Sequence, residues 1–201
     1  MRYLLYIIMC AAHMIGCGHS ERDESEYSGI PSTAQAVAEN EEYAIFLNDE
    51  DRGDSIEGLV SIKQVSLWTY DKDKIAAKKI LLTHPDAERN WFGADSSVSI
   101  PLDSITTISR ITILSWRDEP LRLLVEGCSD YRNVESFIID INSDQAICLP
   151  TNRGLIGISE EEGLLIMQSY AYYEDCGRYN IIEAYDQQGN RITSMDVKIP
   201  Q

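Results

Sequence analysis

The chain is 201 residues long, 44% hydrophobic by residue type, and strongly acidic, with 33 Asp and Glu against 17 Lys and Arg for a net charge of −16. A chain of that sign has no basic patch with which to displace the counterions of phosphates. Nucleic acid is thereby excluded as a partner, and so is electrostatic attachment to an anionic membrane surface.

The first element is the leader MRYLLYIIMCAAHMIG, residues 1–16. One positive charge, Arg2, is followed by Tyr3, Leu4, Leu5, Tyr6, Ile7, Ile8 and Met9 and then by small residues. That order is a secretory signal, and the stretch is shorter than the ~20 apolar residues a spanning helix needs. An ordinary signal cut would show small residues at −3 and −1. Here Met14-Ile15-Gly16-Cys17 resembles the bacterial lipoprotein box, in which an aliphatic residue, a small or β-branched residue, and Gly or Ala precede a Cys. Met14 stands where that family usually has Leu. The resemblance covers these four residues and the leader. It implies that the leader is removed, that the Cys17 thiol is joined to a diacylglycerol, and that the new amino terminus is acylated. Several acyl chains suit an anchor, since one chain at ~0.8 kcal/mol per buried methylene binds only marginally. Cys17 is therefore the expected lipidation site, with the membrane as partner through lipid. Gly18 is not the Asp that holds enteric lipoproteins at the inner membrane, which favours the outer membrane. Glu21, Asp23 and Glu24 are similar to the export signal of Bacteroidetes surface lipoproteins, so the periplasmic and the outer face both stay open.

Residues 17–42 read as a flexible acidic tether. GHSERDESEYSGIPSTAQAVAENEE is rich in Ser, Glu and Asp and almost free of large aliphatics, so it cannot bury enough surface to order itself. TAQAVAENEE inside it has the one pattern compatible with a short helix.

Residues 43–201 are expected to form a single all-β domain. Short β-branched and aromatic runs predict strands at 43–47, 58–62, 65–70, 76–82, 98–102, 106–114, 121–126, 135–141, 145–149, 155–159, 164–173, 179–185 and 191–197. Turn residues such as Asn142-Ser143-Asp144 and Gln188-Gly189-Asn190 punctuate them. A unit of strand, polar turn and strand recurs as VSLWTYDKDKIAAKKIL, SFIIDINSDQAICLP and NIIEAYDQQGNRITSM. Matching Asn142 to Asp186 gives a shift of 44, which lays LLVEGC (123–128) over MQSYAY (167–172). That pitch lies within the ~40–45 residues of a four-stranded propeller blade. Asp71 to Asn142 is longer than one pitch, so the first unit carries extra residues or is a different element. A body of ~160 residues holds too few blades to close a propeller, which typically takes 4–8. The expected fold is thus an antiparallel meander with propeller-like blade repeats, or alternatively a β-sandwich. In SYAYY and the YDQQGN turn the body resembles Bacteroidetes lipoproteins with propeller-like repeats, which implies no activity.

Chemistry is sparse. Beyond the leader the histidines are His19, in the tether, and His84, before Pro85, so no nucleophile–base pair is legible. NDEDRGDSIEG (48–58) puts Arg52 and Leu59 where a calcium loop needs ligands, so it reads as an acidic hairpin tip. No two of Cys128, Cys148 and Cys176 are close in sequence, and neither a metal nor a cofactor is expected. The 44-residue shift puts Cys128 level with Tyr172 and Cys176 level with Arg132. Both would lie at the hairpin end of adjacent units, making Cys128–Cys176 the candidate disulfide and Cys148 a buried leftover thiol. Trp68 and Trp116 read as core, Trp91 as a loop residue.

The segment SYAYYEDCGRY (169–179) stands out. Alternation puts Tyr170 and Tyr172 on one face and Tyr173 on the other, so one face should pack and the other show aromatic surface. Arg178 and Tyr179 complete the candidate binding set of Tyr170, Tyr172, Tyr173, Arg178 and Tyr179. The expected function is a non-enzymatic binding or interaction module at the envelope, for a protein or glycan partner. An envelope hydrolase with a carboxylate site and a periplasmic immunity-type inhibitor of a toxin are the alternatives.

Overall fold

A computed structural model of the protein describes residues 27–49, 60–61, 64–83, 99–101, 107–114, 120–128, 133–143 and 145–200. The strands in chain order are β1 (Gln35–Glu39), β2 (Tyr43–Asp49), β3 (Val60–Ser61), β4 (Gln64–Asp71), β5 (Ala76–Thr83), β6 (Ser99–Pro101) and β7 (Thr107–Leu114). They continue with β8 (Arg122–Cys128), β9 (Glu135–Asp140), β10 (Gln145–Leu149), β11 (Gly154–Ser159), β12 (Leu164–Tyr173), β13 (Gly177–Tyr185) and β14 (Arg191–Lys198). Among the described residues there is no helix.

Three sheets result. The first has the order β1-β2-β4-β5-β6, the second β10-β9-β8-β7-β3, and the third β11-β12-β13-β14. Each contains an antiparallel meander of four strands. β6 joins the first sheet in parallel with β5, and β3 pairs with β7 at the edge of the second. The residues in excess of one pitch in the first unit therefore fall between β5 and β7, where β6 is inserted.

The sheets stack face to face. Ile45, Leu47, Val65, Leu67, Ile80 and Leu82 of the first sheet meet Ile111, Leu123, Val125, Phe137 and Ile139 of the second. Leu124, Ile138, Leu114 and Leu149 on the opposite face of the second sheet meet Leu165, Met167 and Tyr185 of the third. The middle sheet is thus covered on both sides, which is why LLV (123–125) and FII (137–139) are continuous apolar runs rather than alternating ones. Each fully buried aliphatic such as Leu123, Leu124 and Val125 contributes about 1.5–3 kcal/mol. The shift of 44 preserves facing: Leu123 and Val125 look back at the first sheet as Met167 and Ser169 look back at the second.

The repeated unit is the third-to-fourth-strand hairpin of each meander, and an Asp caps its turn; the counterpart of Asp186 there is Asp140 and not Asn142, because the last hairpin runs longer than the one before it. Asp71 Oδ1 accepts the Lys74 N–H at 2.9 Å, and Asp140 Oδ1 accepts those of Asn142 and Ser143 at 2.9 and 3.1 Å. Asp186 Oδ1 accepts those of Gln188 and Asn190 at 2.9 and 2.8 Å. These are Asx turns, in which the carboxylate stands in for a backbone acceptor. The Lys74 ammonium, hydrogen-bonded to Asp71, holds that carboxyl below its usual range.

The tether ends earlier than its composition predicts. Gln35–Glu39 is not helical but a strand, registered on β2 from Gln35↔Leu47 to Glu39↔Ala44. Upstream of it, Tyr27, Ile30 and Ala34 cover the outer face of the first sheet, over Ala44, Phe46 and Tyr70. The Tyr27 ring meets Phe46 and Tyr70 edge-on at 5.0 and 5.1 Å. The folded body therefore begins by Tyr27 rather than at Tyr43. A single apolar position per turn was too weak a signal in QAVAE; pairing with β2 decides its conformation. Cys17, the leader, His19, His84, Trp91, Trp116 and the 50–58 part of the acidic hairpin lie outside the described residues.

Candidate binding surface

β12 is a ten-residue strand whose partner strands do not all run its full length. β13 pairs with it from Leu165↔Tyr185 to Tyr173↔Gly177, but β11 covers it only from Leu164 to Gln168. Beyond that point the Asn152 side chain substitutes for strand backbone. Its Oδ1 accepts the Tyr170 N–H at 2.7 Å, and its Nδ2 donates to the Tyr170 carbonyl at 3.1 Å. The remaining residues of β12 and the first of β13 run on as a hairpin tip. Gly177, at φ 94°, occupies the left-handed conformation that closes the turn, and the Cys176 N–H donates to the Tyr173 carbonyl at 3.1 Å.

The tip is aromatic on both faces. Tyr172 pairs in register with Arg178, and Tyr170 with Asn180, all four on the face turned away from the second sheet. Tyr173 and Tyr179 lie on the other face, their rings T-shaped at 5.5 Å. The Arg153 guanidinium sits over the Tyr170 ring at 5.4 Å. Tyr172 is 63% exposed and Tyr173 47%. Alternation predicted that one tyrosine face would be packed. Instead neither is packed at the tip, because the hairpin continues beyond the strands that would cover it. Tyr170 and Tyr179 are half-buried and Arg178 is exposed. The structure thus brings all five candidate residues into one hairpin end, divided between two faces.

The cysteines behave differently from expectation. Cys128, Cys148 and Cys176 are all free thiols, so the expected Cys128–Cys176 bridge is not formed. Cys128 ends β8, with Sγ 3.2 Å from Thr107 Oγ1, whereas Cys176 is four residues past Tyr172, the position level with Cys128. The longer β12–β13 hairpin carries Cys176 outward. Cys148 is exposed rather than buried, since β10 is the outer edge strand of the second sheet.

Two carboxylates are buried that no motif singles out, each marked in the sequence only by an acid inside an apolar run: Glu126 in LLVEGC and Glu183 in NIIEAY. Both lie on the seam between the second and third sheets. The Glu126 carboxylate receives the Arg110 Nε–H, the Leu155 N–H at 2.7 Å and the Ser136 hydroxyl at 3.5 Å. Glu183 receives Arg191 at 3.0 Å and the Tyr185 hydroxyl at 3.1 Å. These donors satisfy acids that burial would otherwise penalise by several kcal/mol. Their arrangement is that of a joint between sheets.

A cleft of about 490 Å³ opens where β1, β7 and β11, the first strands of the three meanders, converge; Ile111, Ile113 and Ile158 wall it, and Glu39 and Glu160 border it. Glu39 is engaged by Lys72 at 2.6 Å and by the Tyr27 hydroxyl at 3.0 Å. Among the described residues no group of three or more His, Cys, Asp or Glu is placed to hold a metal ion. Trp68 lies half-buried on the outer face of the first sheet with Lys79 5.6 Å from its ring centre.

Fold and surface define a layered all-β protein with an aromatic hairpin tip. No protein-family model, curated protein or solved structure matches the chain.

Proposed function

We propose that this chain is a lipid-anchored protein of the bacterial cell envelope, at the outer membrane, that serves as a non-enzymatic binding module for a protein or glycan. The observation that carries the binding half is the projecting tip, with Tyr172 and Tyr173 exposed beside Arg178. Tyr and Arg are the residues over-represented at energetic hot spots of interfaces, and aromatic rings also stack on sugars. The leader and MIGC support the address. Reading the acids as hydrolytic finds less support, since Glu126, Glu183 and Glu39 are each tied to a cation. Two experiments test the proposal. Replacing Cys17 by Ala should release the protein from the membrane fraction and leave the amino terminus without lipid; a variant that stays membrane-bound removes the address. Tyr172→Ala and Tyr173→Ala should each weaken partner binding about fivefold or more, on the order of 1 kcal/mol, with the melting temperature unchanged. A loss of stability of ~3–5 kcal/mol instead, as from an emptied aromatic core site, withdraws the binding surface.

A further inference from the structure

Among the described residues five glycines and one other residue have a left-handed backbone. The turns β11–β12, β12–β13 and β13–β14 place Gly163, Gly177 and Gly189 there, at φ 67°, 94° and 78°. The β4–β5 turn places Ile75 there, at φ 52°. A β-branched residue suits this conformation least, because Cβ and its branches crowd the backbone; Gly or Asn would close the turn with less strain. Burial does not offset the strain. Ile75 is 69% exposed, more than any other large apolar side chain among the described residues. The residue is thus unfavourable to the fold twice, through its backbone and through its side chain. Strain held in this way collects where a side chain meets something outside the chain.

The chain enters the body at this same end of the first sheet. Tyr27 meets Tyr70, the β4 residue paired with Ala77, edge-on at 5.1 Å, and its hydroxyl donates to Glu39, which Lys72 engages. A Cβ built on Gly29 would stand 3.6 Å from that of Ala77, two residues past Ile75. Ten residues separate Tyr27 from Cys17, a reach of at most about 35 Å.

We infer that the β4–β5 turn rests on the bilayer to which Cys17 is tied, with Ile75 inserted at the boundary of headgroups and acyl chains. This orientation rests on the lipid-anchored reading and adds to it which end of the body faces the lipid. The short tether selects the bilayer as occupant, because it holds this end nearest to the acylated Cys17. The contact is apolar. Charge adds nothing to it, since the chain stands at −16 and Lys74, beside Ile75, is paired with Asp71 at 2.8 Å. Within a meander the third-to-fourth-strand turn and the second-to-third lie at opposite ends of the strands. The tyrosine tip is the second-to-third hairpin of the third sheet, so it points away from the bilayer and stays open to its partner.

The test uses the protein as the cell processes it, in phosphatidylcholine vesicles containing a small share of phosphatidylcholine with a diazirine on its acyl chain. Irradiation, proteolysis and peptide mass spectrometry then show which residues touch lipid. The expected label falls within residues 72–79. Ile75→Asn should lower it about fivefold or more, by removing the apolar side chain. The same variant should melt at or above the wild-type midpoint, since Asn tolerates the left-handed backbone. Ile156→Asn, which removes an isoleucine 52% exposed on the third sheet, should leave the label as it was. Lipid on Cys17 with no label on the turn overturns the inference and leaves the address standing. Label that Ile75→Asn does not reduce, or a lowered midpoint, overturns it equally, the second because Ile75 would then be packing within the protein. A chain without lipid on Cys17 overturns the address and the orientation with it.

Discussion

The Glu126 carboxylate accepts the backbone N–H of Leu155 at 2.7 Å across the seam between the second and third sheets. Arg110, paired with the same carboxylate, donates to the Leu155 carbonyl at 2.8 Å. An acid and a base on β8 and β7 together present to β11 the acceptor and donor of a neighbouring strand. The first strand of the third sheet is docked on the second sheet by this pair, with Leu155 packed on the apolar layer beside it. Arg122 adds a second link, donating to Gln187 at 3.3 Å beyond the end of β13.

Removing Arg110 leaves Glu126, 1% exposed, without its cation. The Arg110 side chain is half exposed and Glu126 keeps the Leu155 N–H, so Arg110→Met should cost about 1–3 kcal/mol in denaturant unfolding. The double variant Arg110→Met, Glu126→Leu leaves no charge to solvate but takes away the acceptor of the Leu155 N–H, so it should recover only part of the loss. A single variant that unfolds at the wild-type midpoint would show that the pair is open to water.

Gly154 opens β11 at φ 82°, and a Cβ built there would stand 2.3 Å from Glu126 Oε1. Gly154→Ala should therefore destabilise by about 2–4 kcal/mol through strain and displacement of the acid from its donors. In a Glu126→Ala background the added cost should shrink toward the ~1 kcal/mol of backbone strain alone. A double-mutant cycle on chemical unfolding measures the difference.

Thirteen of the fourteen strands among the described residues can be read from the chain because β-branched and aromatic runs between polar turns leave little else to form. The hairpin repeat is legible for a chemical reason: Asp71, Asp140 and Asp186 cap equivalent turns. β1 is not legible, since Val37 is the one residue of QAVAE with a β preference and the Ala, Gln and Glu around it have none, so its partner strand supplies the conformation. The tyrosine strand is legible as a strand but not in its exposure. Alternation tells which side chains share a face, whereas the reach of β11 decides which faces are covered. Inter-sheet relations such as Glu126 to Leu155 depend on stacking order, which no local pattern encodes.

A chain beginning at Tyr43 lacks β1 and the Tyr27–Ala34 cover, exposing Phe46 and Tyr70 along with the free edge of β2. Loss of an aromatic cluster and a strand should cost at least about 3 kcal/mol, a drop in melting temperature of roughly 8 °C or more for a domain this size. A chain beginning at Tyr27 should melt with the full-length protein. Thermal melts of the two, side by side, place the start of the folded body; equal midpoints would return residues 27–42 to the tether.

Tyr185, 1% exposed, donates its hydroxyl to Glu183, and burial above all, then the charge of Glu183, pushes its pKa up to about 12. The unfolded phenol titrates near ~10. Between those values the unfolded chain has released a proton that the folded protein still holds, so raising the pH favours unfolding. The stabilisation is complete below pH ~10 and is lost as pH rises toward 12, by about 2–3 kcal/mol in all. Tyr185→Phe keeps the ring in the apolar layer and removes the proton. At pH 7 it should cost about 1 kcal/mol, since Glu183 loses one of its two donors. Its stability should then fall less steeply than that of the wild type between pH 9 and 12, the remaining fall coming from groups common to both, including Tyr43, whose phenol burial also raises. Urea midpoints for the two proteins at intervals across that range give the comparison. Parallel curves would mean that Tyr185 titrates as an ordinary surface phenol, and the seam around Glu183 would have to be wet.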